Sequence, residues 1–345
     1  MYNSFRSFKS FRCPECKKAM PLPGCACGYT AKSKNGIYQL TDAPYIVKDD
    51  SAEVKYIGYE EIGEYFSGKS LFEKAKIDEK MKKTAELAGD GVLLDLACGD
   101  GAITVPLAMQ GVSVISMDIS DKMLSLLFER AKIAGIEPSR LVVCRANALD
   151  IPLMDNSVDA AIANSVLHLI SAPEIILREI HRVLKKGGKF IAFEDRPGRG
   201  GDSAGDLTEE EISDNEKAYE YSSFIYGRYF DILKDEYGIH PKKYSWQFDR
   251  EKACADIFGG KTVYTVESKR EKHKNVFKDT FFFRMGGKGF SDQSDVPDEI
   301  HKSVFGRAVS ELVSKYGEES LNIAWTVAEC HEVAEITVYV KESEE

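Results

Sequence analysis

Short apolar runs alternate with helix-periodic segments through the middle of the chain. Five runs without polar alternation predict strands buried on both faces, at residues 92–97, 112–118, 141–145, 158–163 and 189–194. Apolar residues at helical spacing predict helices between them, at 102–110, 121–134 and 172–184. This alternation predicts a doubly wound, mainly parallel α/β sheet whose loop-bearing strand ends gather at one edge.

More polar segments flank this centre. Residues 45–90 have a helical pattern with an aromatic stripe, which is typical either of core packing or of a helix that covers a ligand. A glycine-rich stretch at 197–201 precedes a predicted helix over 208–237. The aromatic-rich face of that helix forms either a lid over a pocket or the packed interior of the lid, and it consists of Tyr221, Phe224, Ile225, Tyr226, Tyr229 and Phe230. Strands over 262–267, 275–285 and 335–340 and a helix over 300–316 are predicted for the rest.

The length and the charge pattern narrow the class of protein. The 345 residues suit two or three structural units, and no apolar run approaches the ~20 residues that span a bilayer. The first ten residues lack the apolar centre of a secretory signal, so we predict a cytoplasmic protein without membrane partners. The net charge is −10, but residues 1–40 carry +6 and the remainder carries −16. An acidic body disfavours non-specific binding to nucleic acid, whereas the basic head allows contact with RNA.

Four of the eight cysteines lie close together in the basic head. Cys13 and Cys16 form a CxxC turn, and Cys25 and Cys27 form a CxC turn after an eight-residue spacer. Four thiolates on two tight turns predict a tetrahedral Zn²⁺ site, although a redox CxxC or free thiols remain alternatives. Four cysteine ligands leave no open coordination position, so the predicted zinc is structural.

A turn rich in small residues follows the first buried run. Asp95 closes the run, Gly99 and Gly101 follow, and the next segment is helical. Glycine lets a ligand approach the main chain, and a helix start offers unpaired N–H groups. A second carboxylate, Asp118, ends the next strand, where it suits hydrogen bonding to a ribose diol.

These motifs resemble the S-adenosylmethionine site of class I methyltransferases over residues 92–194. The resemblance implies a Rossmann-like sheet of seven strands with the last strand antiparallel, and a helix of the Glu179 to Gly188 element that ends at Gly187 and Gly188. Ala97 occupies the slot of the family's first glycine, which suggests that no positive φ is needed there. The cofactor-binding residues that the resemblance implies are Asp95, Ala97, Gly99 and Gly101 at the amino-acid end, Asp118 at the ribose, Met117, Ile119, Asn147 and Ala148 around the adenine, and Asn164 beneath the methionine end.

The cysteine head resembles the zinc ribbon of some rRNA guanine methyltransferases, and residues 35–40 fit the last strand of that ribbon. The CxC turn is shorter than in those enzymes. Five units are therefore expected, namely a zinc ribbon (1–44), a helical cofactor cover (45–90), an S-adenosylmethionine-binding core (91–194), a helical lid insertion that shapes the substrate pocket (195–260) and C-terminal strands with a helix that complete the sheet (261–345).

The expected reaction is methyl transfer by in-line displacement to a small-molecule acceptor. Asn164 and His168 are the candidate catalytic residues, and His168 suits proton removal from the acceptor, although a histidine at a helix start also has a purely structural role. Two alternatives remain open. One is an rRNA methyltransferase that recognises RNA through its basic head, and the other is a non-catalytic module that binds the cofactor or docks a protein partner through its zinc head. Nothing in the sequence indicates the oligomeric state.

Overall fold

The computed structural model describes residues 8, 10–47, 52, 54–57, 77–193, 207–240, 248–293 and 296–342. Its strands are β1 (Phe11–Arg12), β2 (Ala19–Met20), β3 (Lys32–Lys34), β4 (Ile37–Gln39), β5 (Ile46–Val47), β6 (Tyr56–Ile57), β7 (Val92–Leu96), β8 (Ser113–Asp118), β9 (Leu141–Arg145), β10 (Val158–Ala163), β11 (Leu184–Phe193), β12 (Lys261–Arg270), β13 (His273–Val276), β14 (Ala324–Val327) and β15 (Cys330–Val340). Its α-helices are α1 (Glu79–Ala88), α2 (Thr104–Met109), α3 (Asp121–Ile133), α4 (Pro173–Val183), α5 (Glu209–Tyr237), α6 (Arg250–Ile257), α7 (Phe283–Gly286) and α8 (Asp298–Tyr316).

The central sheet has nine strands within the described ranges, in the order β12-β15-β11-β10-β7-β8-β9-β4-β3. Five neighbouring strands are parallel to one another, namely β11, β10, β7, β8 and β9. Strand β15 is antiparallel to both of its neighbours, β11 and β12. This is the doubly wound arrangement that the alternating pattern predicts. Because β10, β7 and β8 are neighbouring parallel strands, the loops after these three strands open at the same edge of the sheet.

The predicted count of seven strands is wrong, because the cysteine head adds two. β4 pairs in parallel with β9, through Tyr38 with Cys144 and Gln39 with Arg145, and β3 pairs with β4 as a hairpin. The edge of β9 would otherwise expose unpaired backbone groups. The head therefore extends the sheet of the core.

The predicted helix over 172–184 matches α4, but the prediction that Gly187 and Gly188 end this helix is wrong. α4 ends at Val183, and Gly187 and Gly188 lie inside β11. The pairing of β10 with β11 shifts register between Val158 and Ala160. Gly187 has a φ of 73°, and a Cβ on Gly188 would come within 2.8 Å of a backbone oxygen. The glycines thus accommodate an irregular strand start.

The strand predicted over residues 275–285 is mostly helical. β13 ends at Val276, a π-helical segment covers Lys278–Phe282, and α7 follows. The Phe277 ring stacks on Phe281 at 5.1 Å and meets Phe282 edge-on at 4.9 Å. Aromatic residues favour strands by propensity, but contacts at this spacing need a helical turn.

A separate core joins the long helix α5 to α8. The aromatic-rich face of α5 belongs to this core: Tyr221, Ile225 and Tyr229 are buried, and its other members pack against them. Tyr229 Oη lies 2.7 Å from Nδ1 of the buried His301 on α8. The interpretation of that face as a packed interior is confirmed, and none of its six residues lines the main cleft described below.

Only parts of the segment over 45–90 are described. Tyr56 lies in β6, contrary to the helical pattern, whereas α1 is helical as predicted and is capped by Asp78. The rest of the aromatic stripe, residues 59–75, lies outside the described residues. No helix in the described ranges has the length and apolar character to cross a membrane.

Candidate cofactor cleft and cysteine cluster

A cleft of about 500 Å³ opens at the carboxyl ends of the parallel strands. All the predicted cofactor-binding and catalytic residues line it except Gly101, which lies in the turn behind it. The predicted residues on its wall are Asp95, Ala97, Gly99, Met117, Asp118, Ile119, Asn147, Ala148, Asn164 and His168. The loops after four consecutive strands therefore converge on one site.

The small-residue turn after β7 carries three left-handed residues at alternate positions. Ala97, Gly99 and Gly101 have φ values of 55°, 54° and 79°. The expectation that position 97 needs no positive φ is wrong: alanine adopts there the conformation that favours glycine. A Cβ on Gly101 would come within 2.7 Å of the Leu127 side chain, so glycine there also allows α3 to pack closely.

A buried ion pair between Asp100 of the turn and Arg130 of α3 holds the turn in place. Arg130 on α3 is 2% exposed, and its Nη1 lies 2.9 Å from Asp100 Oδ2 and donates to the Asp100 carbonyl oxygen at 2.8 Å. Asp100 is thus directed partly toward the protein interior, although it also borders the cleft. This pair was not predicted, because nothing in the sequence links positions 100 and 130.

Asp118, at the end of β8, is held by two backbone donors. Its Oδ2 accepts from Gly99 N and its Oδ1 accepts from Ser120 N, both at 2.9 Å. The Ser120 side chain in turn caps α3 by accepting from Met123 N. The orientation of the carboxylate is therefore set by the backbone of the turn and of the α3 start.

Asp95 is 1% exposed and accepts a 2.6 Å hydrogen bond from Thr104 Oγ1. The Thr104 hydroxyl also lies 2.8 Å from the buried Ser116 hydroxyl, within hydrogen-bond distance. Burial raises the pKa of Asp95 to about 7, the Thr104 hydrogen bond opposes that rise, and the negative charge of Asp118 adds to it. Two carboxyl groups thus lie in one cleft, and their negative charge favours a cationic ligand.

The loop after β9 forms a compact turn. Asn147 Oδ1 accepts from Leu149 N at 3.0 Å, and the Asn147 carbonyl oxygen accepts from Asp150 N at 3.1 Å. Since the side-chain oxygen already has a backbone donor, the Asn147 amide N–H groups and its second oxygen lone pair remain for a ligand. Asn147, Ala148 and Leu149 all line the cleft.

The loop after β10 places Asn164 and His168 on the cleft wall. Between them Ser165 has a φ of 54°, a conformation uncommon for serine, and His168 lies in the 3₁₀-helix Leu167–Leu169. The positive φ of Ser165 was not predicted, because the sequence there lacks a glycine.

The C-terminal part of the chain closes one side of the cleft with Arg284, Gly289 and Phe290. The Arg284 guanidinium lies 4.4 Å from the centroid of the Phe290 ring and donates to the Gly289 carbonyl oxygen at 3.3 Å. These residues were not predicted, because the sequence pattern favours a strand over 275–285 and a pocket wall from the insertion over 195–260. Tyr56 was read only as part of the aromatic stripe, and it also lines the cleft.

The four head cysteines come together as predicted. Their sulfur atoms all lie within 4.8 Å of one another, with Cys13 Sγ 3.7 Å from Cys27 Sγ and Cys16 Sγ 3.5 Å from Cys25 Sγ. Tetrahedral Zn²⁺ with Zn–S bonds of about 2.3 Å requires sulfur separations of ~3.8 Å. The cluster fits that geometry. Each cysteine pair is followed by a left-handed residue, Lys17 (φ 59°) and Gly28 (φ 97°).

The order of strands, with a glycine turn after β7 and an acid at the end of β8, is the arrangement that the resemblance to class I methyltransferases implies. Residues 94–192 match the family model of a methyltransferase domain. This part of the chain is therefore similar to methyltransferase domains, and other elements continue it on both sides.

Three relatives match about a third of the chain. A demethylmenaquinone methyltransferase of Clavibacter sepedonicus is 35% identical over 113 residues, which are 33% of this chain and 44% of that protein. A demethylmenaquinone methyltransferase of Symbiobacterium thermophilum is 36% identical over 106 residues, 30% of this chain and 41% of that protein. The sterol 4-C-methyltransferase strm-1 of Caenorhabditis elegans is 30% identical over 145 residues, 39% of this chain and 43% of that protein. The chain thus spans less than half the length of each of these relatives.

Proposed function

We propose that the protein is an S-adenosylmethionine-dependent methyltransferase that acts on a small-molecule acceptor. The observation that carries this proposal is that Asp95 and Asp118, on neighbouring strands, line one open cleft together with the turn at Gly99. A cleft filled by side chains, or acids on opposite faces of the sheet, would have removed its basis.

The cleft suits the cofactor in shape and charge. The Asp118 carboxylate accepts from the ribose hydroxyls, and Asp95 favours the cationic amino-acid end of the cofactor. Asn147 and Ala148 contact the adenine, with Met117 and Ile119 beside them. S-adenosylmethionine supplies a methyl group already activated as a sulfonium, so the chain mainly has to orient the acceptor and exclude water.

Two observations support a small, partly apolar acceptor. Leu169, Ile170 and Phe290 contribute apolar side chains to the lining of the cleft, and the volume lies in the range typical of small-molecule sites. By their names, the relatives act on demethylmenaquinone and on a sterol. We infer that Phe290 and Arg284 contact the acceptor, and that Arg284 favours an acceptor with an anionic or electron-rich group.

The basic head gives weaker support to the alternative acceptor, ribosomal RNA. Arg12 forms an ion pair with Asp150, Lys17 lies 4.0 Å from the same carboxylate, and Lys34 lies 3.2 Å from Asp121. These contacts direct part of the positive charge of the head toward the core of the same chain. Binding to RNA would compete with them, so a small molecule is the better-supported acceptor.

His168 and Asn164 are the proposed catalytic residues. Both line the cleft, and the left-handed Ser165 between them shapes the loop that carries them. We infer that His168 takes a proton from the acceptor and that Asn164 orients it through a hydrogen bond. The cysteine cluster holds one structural Zn²⁺ in this proposal, through Cys13, Cys16, Cys25 and Cys27.

Transfer of labelled methyl groups tests the proposal. The purified protein is incubated with methyl-labelled S-adenosylmethionine and a cell extract, and the label is then fractionated by molecular size. We expect label in the small-molecule fraction, and with the cofactor below saturation this label should fall in Asp118→Asn as cofactor affinity falls. Label in large RNA would replace the small-molecule acceptor by the RNA alternative. Cofactor binding without transfer in any fraction would indicate a non-catalytic module.

A further inference from the structure

The segment that carries the first cysteine docks directly on the loop after β9. Arg12, which immediately precedes Cys13, donates from its backbone N to the Pro152 carbonyl oxygen at 3.0 Å. Its guanidinium pairs with Asp150 and donates to the Ile151 carbonyl oxygen at 3.3 Å. One head residue thus contacts three consecutive residues of the loop.

Backbone pairing extends this contact on both sides of Arg12. Met154 N donates to the Ser10 carbonyl oxygen at 2.8 Å, and Phe11 forms an isolated β-bridge with Leu153. Phe11 is 1% exposed and belongs to the same apolar core as Cys13 and Leu153. The head and this end of the loop therefore share one continuous apolar core.

The other end of the loop is tied to the same head. Arg145, the last residue of β9, donates to the carbonyl oxygens of Thr41 at 2.7 Å and Ala43 at 2.5 Å. Leu40 N donates back to the Arg145 carbonyl oxygen at 3.0 Å. Since Arg145 is 7% exposed, these hydrogen bonds are largely shielded from water.

The residues between these two anchors face the cofactor cleft. Asn147, Ala148 and Leu149 line it, and Asn147 also borders a small second cleft whose walls include Arg12, Lys17 and Thr41 of the head. A single loop residue thus lies against both the proposed adenine position and the cysteine head.

We infer that the cysteine head positions the adenine-binding loop, so that metal occupancy of the cluster and cofactor affinity are coupled. This inference rests on the proposed function. A bound metal holds Cys13 in place and with it the adjacent Arg12, which keeps the loop ordered before the cofactor arrives. Without the metal, part of the loop has to become ordered when the cofactor binds, and the entropic cost of that ordering weakens the affinity for the cofactor. Coupling of this kind is reciprocal, so the cofactor also retains the metal.

The loop has a second support that limits the size of the effect. Ile151 N donates to Glu179 Oε2 at 2.8 Å, and Arg182 donates to the carbonyl oxygens of Ile151 at 2.9 Å and Leu153 at 2.8 Å. These contacts come from α4 and do not involve the head. Removing the head contacts should therefore loosen the loop without unfolding the core.

Calorimetric titration of the full chain with S-adenosylhomocysteine tests the inference on zinc-loaded protein. We expect Arg12→Gln to weaken binding roughly 5- to 20-fold. Lys32→Gln is the matched control, since it removes the same charge from an exposed position on β3 of the same head. Asp150→Asn removes the same ion pair from the loop side, away from the cysteines, and should also weaken binding. Zinc content is measured for each protein, and Asp150→Asn decides the result if Arg12→Gln loses zinc.

The reciprocal effect gives a second readout. Release of zinc from the wild type to a colorimetric chelator should be several-fold slower with saturating S-adenosylhomocysteine. In Arg12→Gln the ligand should slow release much less. Equal S-adenosylhomocysteine affinity in wild type, Asp150→Asn and metal-depleted protein would overturn the inference and leave the proposed function intact. Absence of binding to the zinc-loaded wild type would instead count against the proposed function itself.

Discussion

The backbone N–H of Gly99 donates a 2.9 Å hydrogen bond to Oδ2 of Asp118, which joins the glycine turn after β7 to the tip of β8. The bond forms in a turn whose residues Ala97 and Gly99 both have positive φ. The turn and the acid therefore form one unit. A change at either position should alter the other half of the proposed cofactor site.

Replacing Asp118 by asparagine should weaken binding of S-adenosylhomocysteine. The variant keeps one oxygen acceptor but loses the charge, and a hydrogen bond to a charged group contributes about 1.5–3 kcal/mol, or roughly 10- to 150-fold in affinity. Isothermal calorimetry measures the change. Asp90→Asn, at an exposed turn before β7, is the control and should bind like the wild type. Undiminished affinity of Asp118→Asn would contradict the assignment.

The raised pKa of Asp95 predicts a pH-dependent stability. In the folded state the Asp95 carboxyl group stays protonated up to its pKa of about 7, whereas the ordinary pKa of an aspartate is 3.8. Asp95 therefore makes folding less favourable as pH rises from about 4 to about 7. Asp95→Asn removes that contribution and should flatten the decline, with a relative gain of about 2–4 kcal/mol above pH 7. Urea unfolding from pH 4.5 to 8 measures it. Parallel stability curves for both proteins would show that Asp95 titrates normally.

Substitution of Ala97 by glycine should stabilise the protein. Alanine at a φ of 55° is strained, and glycine removes about 1 kcal/mol of that strain, less a partial loss from greater freedom of the unfolded chain. The same substitution at Ala102, which has no positive φ, should destabilise it by about 0.5–1 kcal/mol. Urea midpoints of the two variants should thus move in opposite directions. A shift to lower urea in both would contradict the strain at position 97.

Phe290 should affect the acceptor more than the cofactor. Phe290→Ala removes part of the apolar lining, so the acceptor KM should rise ~10-fold while S-adenosylhomocysteine affinity changes by less than about 2-fold. Phe283→Ala is the matched control, since that side chain is 37% exposed and lies outside the cleft lining. Equal losses of acceptor and cofactor binding would place Phe290 at the cofactor instead.

The cysteine cluster should hold about one Zn²⁺ per chain, as measured by elemental mass spectrometry of the purified protein. Cys13→Ser removes a buried ligand and should lower both zinc content and thermal stability, because metal binding contributes to folding of so small a segment. Cys254→Ala, at a buried cysteine outside the cluster, should retain zinc. Full zinc occupancy in Cys13→Ser would rule out a four-cysteine site.

Much of the candidate site followed from local sequence. Asp95 and Asp118 end apolar runs, and in parallel strands such ends meet at one edge, so their proximity was predictable. The four cysteines converge for a similar reason, since short turns bring each pair together. The left-handed alanine was not predictable, because the turn that contains it is held by a hydrogen bond from Gly99 to Asp118, 19 positions later. The helical Phe277 to Gly286 segment was misread because its aromatic residues also suit a strand.

The sequence by itself determined the alternation of strands and helices, the acids at two strand ends and the grouping of four cysteines, because each depends on residues near one another in the chain. Only the tertiary structure decided that the head adds β3 and β4 to the sheet, that Arg12 meets Asp150, and that Arg284 and Phe290 close the cleft. These contacts join residues more than 100 positions apart, and they form because packing places complementary charges and apolar surfaces side by side. The local pattern of polar and apolar residues does not indicate which distant residues pack together.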